Sequence, residues 1–224
     1  MASKTFISNW VEYGKMHPTG VPMQQIIFDH KKVTPSKVVC IGRNYVAHIE
    51  ELGNEVPENM VIFNKPNSAI TDQLVYHGDA CRFEGEICLL MGGTAVVGLG
   101  LGLDLTYADI QNVQKKKGLP WERAKSFNGS AVLSSFIPFE GDMDTIRFEL
   151  YINDVLAQEA SYDLMMYKPQ EMIEEISTFM TLEDNDVIMT GTPKGVGYYC
   201  AGDDFKMKLF DTNSLLLEVL WKVK

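Results

Sequence analysis

Two glutamates separated by one glycine, Glu84-Gly85-Glu86, are the residues of this sequence best placed to do chemistry. Side chains at i and i+2 of a strand share one face, so both carboxylates would project together and repel each other unless a cation lay between them. The uncharged run that follows ends at Asp104, which would return beside them if the chain reverses near Gly93. Three converging carboxylates suit Mg²⁺, Mn²⁺ or Ca²⁺ rather than Zn²⁺. The spacing leaves an equal alternative, in which the glutamates lie on a solvated edge and Asp104 caps a helix.

His48 and Glu51 form a second candidate pair, on a short helix predicted over residues 44–52. Residues at i and i+3 share a helix face, where the carboxylate can orient the imidazole to deprotonate a water molecule. From the residues alone, a surface histidine beside an acidic residue is the favoured interpretation.

Lys125 lies between Trp121 and Phe127 in the sequence. A lysine among aromatic residues is either a buried cation that faces an anion or a side chain whose stem covers apolar surface while its charge stays in water. The residues alone favour the second interpretation.

Two glycine-rich segments do not match nucleotide-binding motifs. The repeat Gly98-Leu-Gly100-Leu-Gly102 lacks the GxGxxG spacing and precedes an acidic residue rather than a helix. The segment from Gly191 to Gly195 is not a P-loop, although its backbone N–H groups could hold a small anion.

The elements that must position these residues are mostly strands. Alternating or continuous apolar runs predict strands at 37–41, 61–63, 83–91, 95–103, 145–152, 155–161, 187–190, 205–210 and 215–221. Helices are predicted from a capping box at Thr106 and Asp109 to Lys117, and from Pro169 to Met180. Because the strands do not alternate with helices, the predicted class is β-rich α+β, with an irregular N-terminal arm over residues 1–36 and one domain over 37–224.

Charge and composition exclude several classes of protein. The chain has 224 residues, 46% of them apolar, and a net charge of −10, which opposes binding to nucleic acid or anionic membranes. The run Lys115–Lys117 is interpreted as the cationic end of a helix. The four scattered cysteines predict buried free thiols rather than a zinc or redox motif. No signal peptide or membrane span is recognised, which predicts a cytoplasmic protein.

Taken together, these segments resemble the fumarylacetoacetate hydrolase family, and in particular its small acylpyruvase and oxaloacetate decarboxylase members. The resemblance covers about residues 37–210 in the family's order. It rests on several short motifs: CIGRNY at 40–45, NYxxHxxE with His48 and Glu51, LGNEVPE, FNKP, EGE at 84–86, LDLT with Asp109-Ile-Gln111, KSF at 125–127, and TGTPKGVG at 190–197.

The resemblance implies a role for each matching residue. Glu84, Glu86 and Asp104 would be ligands of Mg²⁺ or Mn²⁺, with Ca²⁺ as a further option. His48 and Glu51 would activate water, and Lys125 would be an active-site lysine. Positions near the substrate would be Arg43, Asn44, Gln111 and Thr192. The family fold is a mixed β-sandwich roll, usually dimeric. The chain departs from the family pattern at Asn128, where aspartate is usual, and at Leu103, where asparagine is common.

The implied function is a divalent-metal-dependent hydrolase that cleaves a C–C bond in 2,4-dioxo acids through a metal-stabilised enolate, with possible oxaloacetate decarboxylation. The alternative is an isomerase, tautomerase or decarboxylase of oxaloacetate or of 2-oxo acids from aromatic degradation. All of these activities use one electrophilic centre, so the motifs do not rank them. A non-catalytic metal-binding scaffold would require the His48, Glu51 and Lys125 matches to be accidental.

Overall fold

The computed structural model describes residues 22–46, 59–212 and 214–224. Within these residues the chain forms a mixed β-sandwich with short helices at its edge, which confirms the β-rich α+β prediction. Strands β1–β17 and helices α1–α3 are numbered in chain order. Among the described residues, the structure contains no helix with the length and apolar character of a membrane span.

The larger sheet contains eight strands of the described chain. They are β3 (Lys37–Gly42), β4 (Val61–Pro66), β5 (Ile70–Thr71), β7 (Gly85–Gly92), β8 (Ala95–Asp104), β10 (Ala131–Leu133), β11 (Ile137–Pro138) and β14 (Val187–Met189). Their order is β4-β3-β14-β7-β8-β10-β5, with β11 paired to β8. The β3–β14 and β5–β10 pairs are parallel and the other pairs are antiparallel.

The second sheet is antiparallel and packs against one face of the first. Its order is β13-β12-β16-β17, formed by β12 (Ile146–Ile152), β13 (Val155–Ser161), β16 (Asp204–Asp211) and β17 (Ser214–Lys222). Asn153 and Asp154 form the turn that joins β12 to β13, and both residues have positive φ. Ile87 and Leu89 of β7 share a core with Phe148 and Met207 of this sheet.

The opposite face of the larger sheet has its own core. Cys88 and Leu90, which alternate with Ile87 and Leu89, pack there with Met189 and Phe136. A sheet buried on both faces explains why β7 is apolar throughout rather than alternating. The β1–β2 hairpin (Ile26–Phe28 and Lys31–Val33) contributes to this second core, so this part of the predicted irregular arm is ordered.

The glycine repeat of β8 serves packing on this second face. A Cβ at Gly98 would lie 2.8 Å from the Phe28 ring, and one at Gly100 would lie 2.8 Å from the Phe136 ring. A Cβ at Gly102 would meet the Cys88 sulfur at 2.8 Å. Bare backbone at alternate positions therefore lets large side chains contact the sheet.

The remaining elements of the described residues are a small sheet and three short helices. A three-stranded sheet joins β6 (Cys81–Phe83), β9 (Thr106–Tyr107) and β15 (Gly197–Tyr198), and the helices are α1 (Ala108–Lys117), α2 (Glu122–Lys125) and α3 (Pro169–Ser177). Helix α1 ends at Gly118, whose left-handed φ of 63° favours glycine.

Two local predictions were wrong. The strand predicted over 83–91 is interrupted at Glu84, because β6 and β7 belong to different sheets. The capping box at Thr106 does not form: α1 begins at Ala108, and the Thr106 hydroxyl instead donates to Glu84 Oε1 at 3.0 Å. Cys40, Cys81 and Cys88 are buried free thiols as predicted, whereas Cys200 is exposed.

Candidate active site

Glu84, Glu86 and Asp104 converge where β7 begins and β8 ends. One carboxylate oxygen from each lies within 4.8 Å of the others, and all three residues are buried. The hairpin register is responsible, since Glu86 pairs with Gly102 and the Asp104 N–H donates to the Glu84 carbonyl at 2.8 Å. The convergence predicted from a reversal near Gly93 is confirmed, and the solvated-edge alternative is wrong.

Gly85 lets the carboxylate strand approach the second sheet. A Cβ there would lie 2.9 Å from Gln158 Oε1 and 3.1 Å from Leu150 Cδ2. With no side chain between the two glutamates, β7 packs closely on one face while both carboxylates point to the other.

Lys125 is buried between two of these carboxylates, so the expectation that its charge stays in water was wrong. Its Nζ donates to Glu84 Oε2 at 2.8 Å, to Asp104 Oδ2 at 2.7 Å and to the Thr106 hydroxyl at 2.6 Å. Burial alone lowers the pKa of Lys125, but Asp104 and Glu84 outweigh it and hold the pKa well above its ordinary value. The ammonium group is therefore protonated at neutral pH.

Lys65 is a second buried cation in the cluster; it belongs to the FNKP motif, but no role was predicted for it. It lies on β4, its Nζ is 2.7 Å from Asp104 Oδ1, and it also donates to the Lys125 carbonyl. Asp104 thus contacts a lysine on each side.

Glu86 is held differently from the other two carboxylates. Its Oε2 accepts a hydrogen bond from the Gly191 N–H at 2.7 Å. Burial raises the pKa of Glu86 well above its ordinary value, and the nearby Asp104 and Glu84 charges raise it further. A cluster of three mutually repelling, oxygen-only donors fits a hard divalent cation such as Mg²⁺ or Mn²⁺, whose charge would relieve that repulsion.

The carboxylates form the floor of a cleft that opens between α1, α2 and the turn after β3. The other lining residues are Ile41, Gly42, Arg43, Phe63, Arg82, Gln111, Lys115, Trp121, Lys125 and Thr192. Three of the four residues predicted near the substrate, Arg43, Gln111 and Thr192, are therefore in the cleft.

Asn44, the fourth, is not among the lining residues. Its amide donates to the Thr190 carbonyl at 2.8 Å and to the Tyr167 carbonyl at 3.1 Å, and accepts from the Tyr167 N–H at 2.7 Å. It thereby fixes the turn that carries Arg43, whose φ of 59° is in the left-handed region. Asn44 is placed to position its neighbour rather than to contact a ligand.

Gln158 on β13 connects the carboxylate strand to the Thr192 loop. Its Oε1 accepts from the Gly85 N–H at 2.9 Å, while its Nε2 donates to the Thr192 hydroxyl at 2.9 Å and to the Pro193 carbonyl at 3.0 Å. No local pattern indicates this role, because Gln158 lies in an ordinary alternating strand.

Two further cations in the cleft were missed. Arg82 lies 3.8 Å from Glu84, and Lys115 belongs to the basic run that was interpreted only as a helix end. The basic run does close α1, but Lys115 also faces the cleft. His48 and Glu51 lie outside the described residues.

The described residues form a β-rich α+β fold with a buried carboxylate cluster that could hold a metal ion, and comparisons identify the family. Residues 37–218 match the family model that describes the C-terminal domain of fumarylacetoacetate (FAA) hydrolase. The chain therefore belongs to the fumarylacetoacetate hydrolase family.

Curated relatives in this family include oxaloacetate tautomerases. The chain is 40% identical to oxaloacetate tautomerase YcgM of Escherichia coli over 204 residues, which cover 83% of this chain and 93% of that protein. It is 34% identical over 200 residues to human mitochondrial oxaloacetate tautomerase FAHD1, covering 81% and 90% of the two chains. A solved fumarylpyruvate hydrolase from Pseudomonas aeruginosa, in complex with Mn²⁺ and pyruvate, superimposes with a TM-score of 0.81 at 26% identity, covering 93% and 100%.

Proposed function

We propose that this protein is a divalent-metal-dependent tautomerase that interconverts the keto and enol forms of oxaloacetate or a closely related dicarboxylic 2-oxo acid. The family resemblance implied C–C hydrolysis, with tautomerisation as the alternative. The names of the relatives at 40% and 34% identity support the second. The observation that carries the proposal is the buried Glu84, Glu86 and Asp104 cluster at the floor of a cleft lined by cationic side chains.

Glu84, Glu86 and Asp104 would hold Mg²⁺ or Mn²⁺. When bound, the ion would act as a Lewis acid that draws electron density from the 2-oxo oxygen and stabilises the negative charge of the enolate.

The side chains of the cleft would bind the substrate and transfer its proton. Lys125 would place its ammonium group beside the 2-oxo end of the substrate, because its Nζ contacts Glu84 and Asp104. Thr192 and Gln111 offer a hydroxyl and an amide on the cleft wall. The family resemblance implies that His48 and Glu51 activate water, and we propose that in tautomerisation the same imidazole, oriented by Glu51, transfers the proton at carbon.

Hydrolysis of a 2,4-dioxo acid is the second candidate. The similarity to the fumarylpyruvate hydrolase from Pseudomonas aeruginosa favours it. Hydrolysis needs an activated water molecule in addition to enolate stabilisation, so His48 would then deprotonate water rather than carbon.

One experiment tests the proposal and separates the candidates. The protein is treated with chelator, dialysed and assayed with and without Mg²⁺ or Mn²⁺, following ketonisation of enol-oxaloacetate by its ultraviolet absorbance. Cleavage of acetylpyruvate is measured on the same preparation. We expect metal-dependent ketonisation that exceeds the rate with metal alone, and loss of that excess in Glu86→Gln but not in the exposed-site control Glu140→Gln. A rate no higher than that of free metal would refute the proposal, and acetylpyruvate cleavage without ketonisation would select hydrolysis.

A homodimer, a cytoplasmic location and no binding to nucleic acid remain predictions from the sequence.

A further inference from the structure

The cleft contains more positive charge than its carboxylates balance. Lys125 pairs with Glu84 and Asp104, Lys65 pairs with Asp104, and Arg82 lies near Glu84. Arg43 and Lys115 line the same cleft, yet within residues 22–46, 59–212 and 214–224 neither forms an ion pair with a carboxylate.

Lys115 is held at the cleft rather than extended into solvent. Its Nζ lies 5.4 Å from the centre of the Trp121 ring, and its side chain is partly buried. The next two lysines of the run, Lys116 and Lys117, are exposed and do not line the cleft. The position of Lys115 on α1 therefore gives it a role that its neighbours do not share.

Arg43 lines the same cleft from the turn after β3. It has a left-handed backbone conformation, and its Nε is buried without a hydrogen-bond partner in the described chain. The Arg43 charge opposes protonation of Lys115, so the two cations interact across the cleft. Glu84 favours the charge on Lys115, but Arg43, Lys125 and Arg82 oppose it, and a bound anion would make the arrangement favourable.

We infer that Lys115, together with Arg43, binds the substrate carboxylate farther from the 2-oxo group and thereby selects dicarboxylic over monocarboxylic 2-oxo acids. The inference rests on the proposed function, since it assumes that the 2-oxo end of the substrate lies at the Glu84, Glu86 and Asp104 cluster. It adds a specificity-determining residue that belongs to none of the motifs considered above.

The test uses two inert ligands that differ at the distal end. Malate and lactate share a 2-hydroxy acid end, and only malate has a second carboxylate. Their binding to the Mn²⁺-loaded protein is measured by calorimetry for wild type, Lys115→Met, Lys115→Arg and the control Lys116→Met. We expect wild type and Lys116→Met to prefer malate, and Lys115→Met to lose about tenfold or more of malate affinity with lactate unchanged. Lys115→Arg should keep most of the preference.

Turnover separates a failure of the inference from a failure of the proposed function. Lys115→Met should raise KM for oxaloacetate by about the same factor and change kcat little. Equal weakening of malate and lactate, or unchanged malate binding, would overturn the inference even if oxaloacetate is turned over. If wild type does not act on oxaloacetate but shows the Lys115-dependent preference for malate, the subsite stands and the assigned reaction is wrong.

Discussion

The side-chain amide of Gln158 donates a hydrogen bond to the Thr192 hydroxyl, with 2.9 Å between Nε2 and Oγ1. The orientation of the amide is fixed, because the Gly85 N–H can only donate and therefore contacts Oε1. Since Thr192 Oγ1 accepts from Gln158, its own proton is available to donate elsewhere. Thr192 lines the cleft, so this relationship makes its hydroxyl a donor toward a bound substrate.

Replacing Gln158 by glutamate should weaken substrate binding while the protein still folds. The Gly85 N–H keeps an acceptor, but the second carboxylate oxygen cannot donate to Thr192 or to the Pro193 carbonyl. We expect kcat/KM to fall about tenfold or more, mostly through KM, because the hydroxyl can turn to donate to the new carboxylate. Steady-state kinetics on oxaloacetate check this, with thermal melting to confirm the fold.

Variants at Thr192 provide the matched comparison. Thr192→Ser keeps the hydroxyl and should stay near wild type, whereas Thr192→Val should raise KM as Gln158→Glu does. If Thr192→Val binds substrate as well as wild type, the donor role assigned to this hydroxyl is wrong.

Lys125→Met should make the metal-free protein less stable and its response to metal larger. The substitution leaves Glu84 and Asp104 without the ammonium group that they share. Removing one partner of a buried ion pair lowers the free energy of unfolding by about 3–5 kcal/mol. A bound divalent cation can neutralise the two carboxylates instead. At a hundred times its Kd, the cation contributes about 2.7 kcal/mol to the free energy of unfolding. Turnover should be largely lost even with metal.

Urea unfolding with chelator and with added Mg²⁺ or Mn²⁺ measures this difference, with the exposed-site variant Lys194→Met as control. We expect the metal to raise the free energy of unfolding more in Lys125→Met than in wild type or the control. Equal increments in all three proteins would show that the lysine and the metal do not share the carboxylates.

The sequence predicted the carboxylate cluster because its geometry is local. Strand periodicity aligned Glu84 with Glu86, and a single hairpin returned Asp104 to them. Contacts between residues far apart in the sequence could not be predicted in this way. Lys65 reaches the Leu105 carbonyl over 40 positions, and Gln158 reaches Gly85 over 73.

Thr106 and Lys115 were misinterpreted because an ordinary local explanation was sufficient. Thr106 has capping-box spacing, but its hydroxyl contacts Glu84, 22 positions away, and the helix begins without it. Lys115 suits a helix C-terminus, and nothing in its neighbours shows that it also faces Trp121 and the cleft. Local patterns therefore predict which face a residue occupies but not which distant group lies opposite.

Asp186 should be a main source of acid sensitivity in the fold. Its buried carboxylate accepts from the Ser36 N–H and hydroxyl, the Lys37 N–H and ammonium, and the Glu183 N–H. Burial alone raises the pKa of Asp186, but these hydrogen bonds outweigh it and hold the pKa below its ordinary value. A depressed folded pKa adds stability above the ordinary value of about 3.9 and loses it as pH falls through the folded value.

Asp186→Asn should therefore lower the free energy of unfolding by about 2–4 kcal/mol near neutral pH. The amide cannot accept all of these hydrogen bonds, and it leaves Lys37 unpaired. The exposed neighbour Asp184→Asn should change stability little. Urea unfolding from pH 7 to pH 3 measures the stability of both variants. The difference in free energy of unfolding between wild type and Asp186→Asn should narrow toward acid pH. A constant gap would show that Asp186 contributes through packing and not through its charge.

The affinity for a dicarboxylic substrate should fall as pH rises through about 8. Burial lowers the pKa of Lys115 to about 8, and repulsion from Arg43 adds to this; Glu84 opposes the change, while Lys125 and Arg82 reinforce it. Below this pH the ammonium is charged and can hold the distal carboxylate, and above it the neutral amine cannot. Oxaloacetate stays dianionic from pH 6.5 to 9.5, so the change in affinity comes from the protein.

The profile of kcat/KM for oxaloacetate, which reports the free enzyme, should show a descending step near pH 8 that is absent for a monocarboxylic 2-oxo acid. In Lys115→Arg the step should disappear, because the guanidinium stays charged throughout this range. A step that persists in Lys115→Arg would assign it to another group and remove Lys115 from substrate binding.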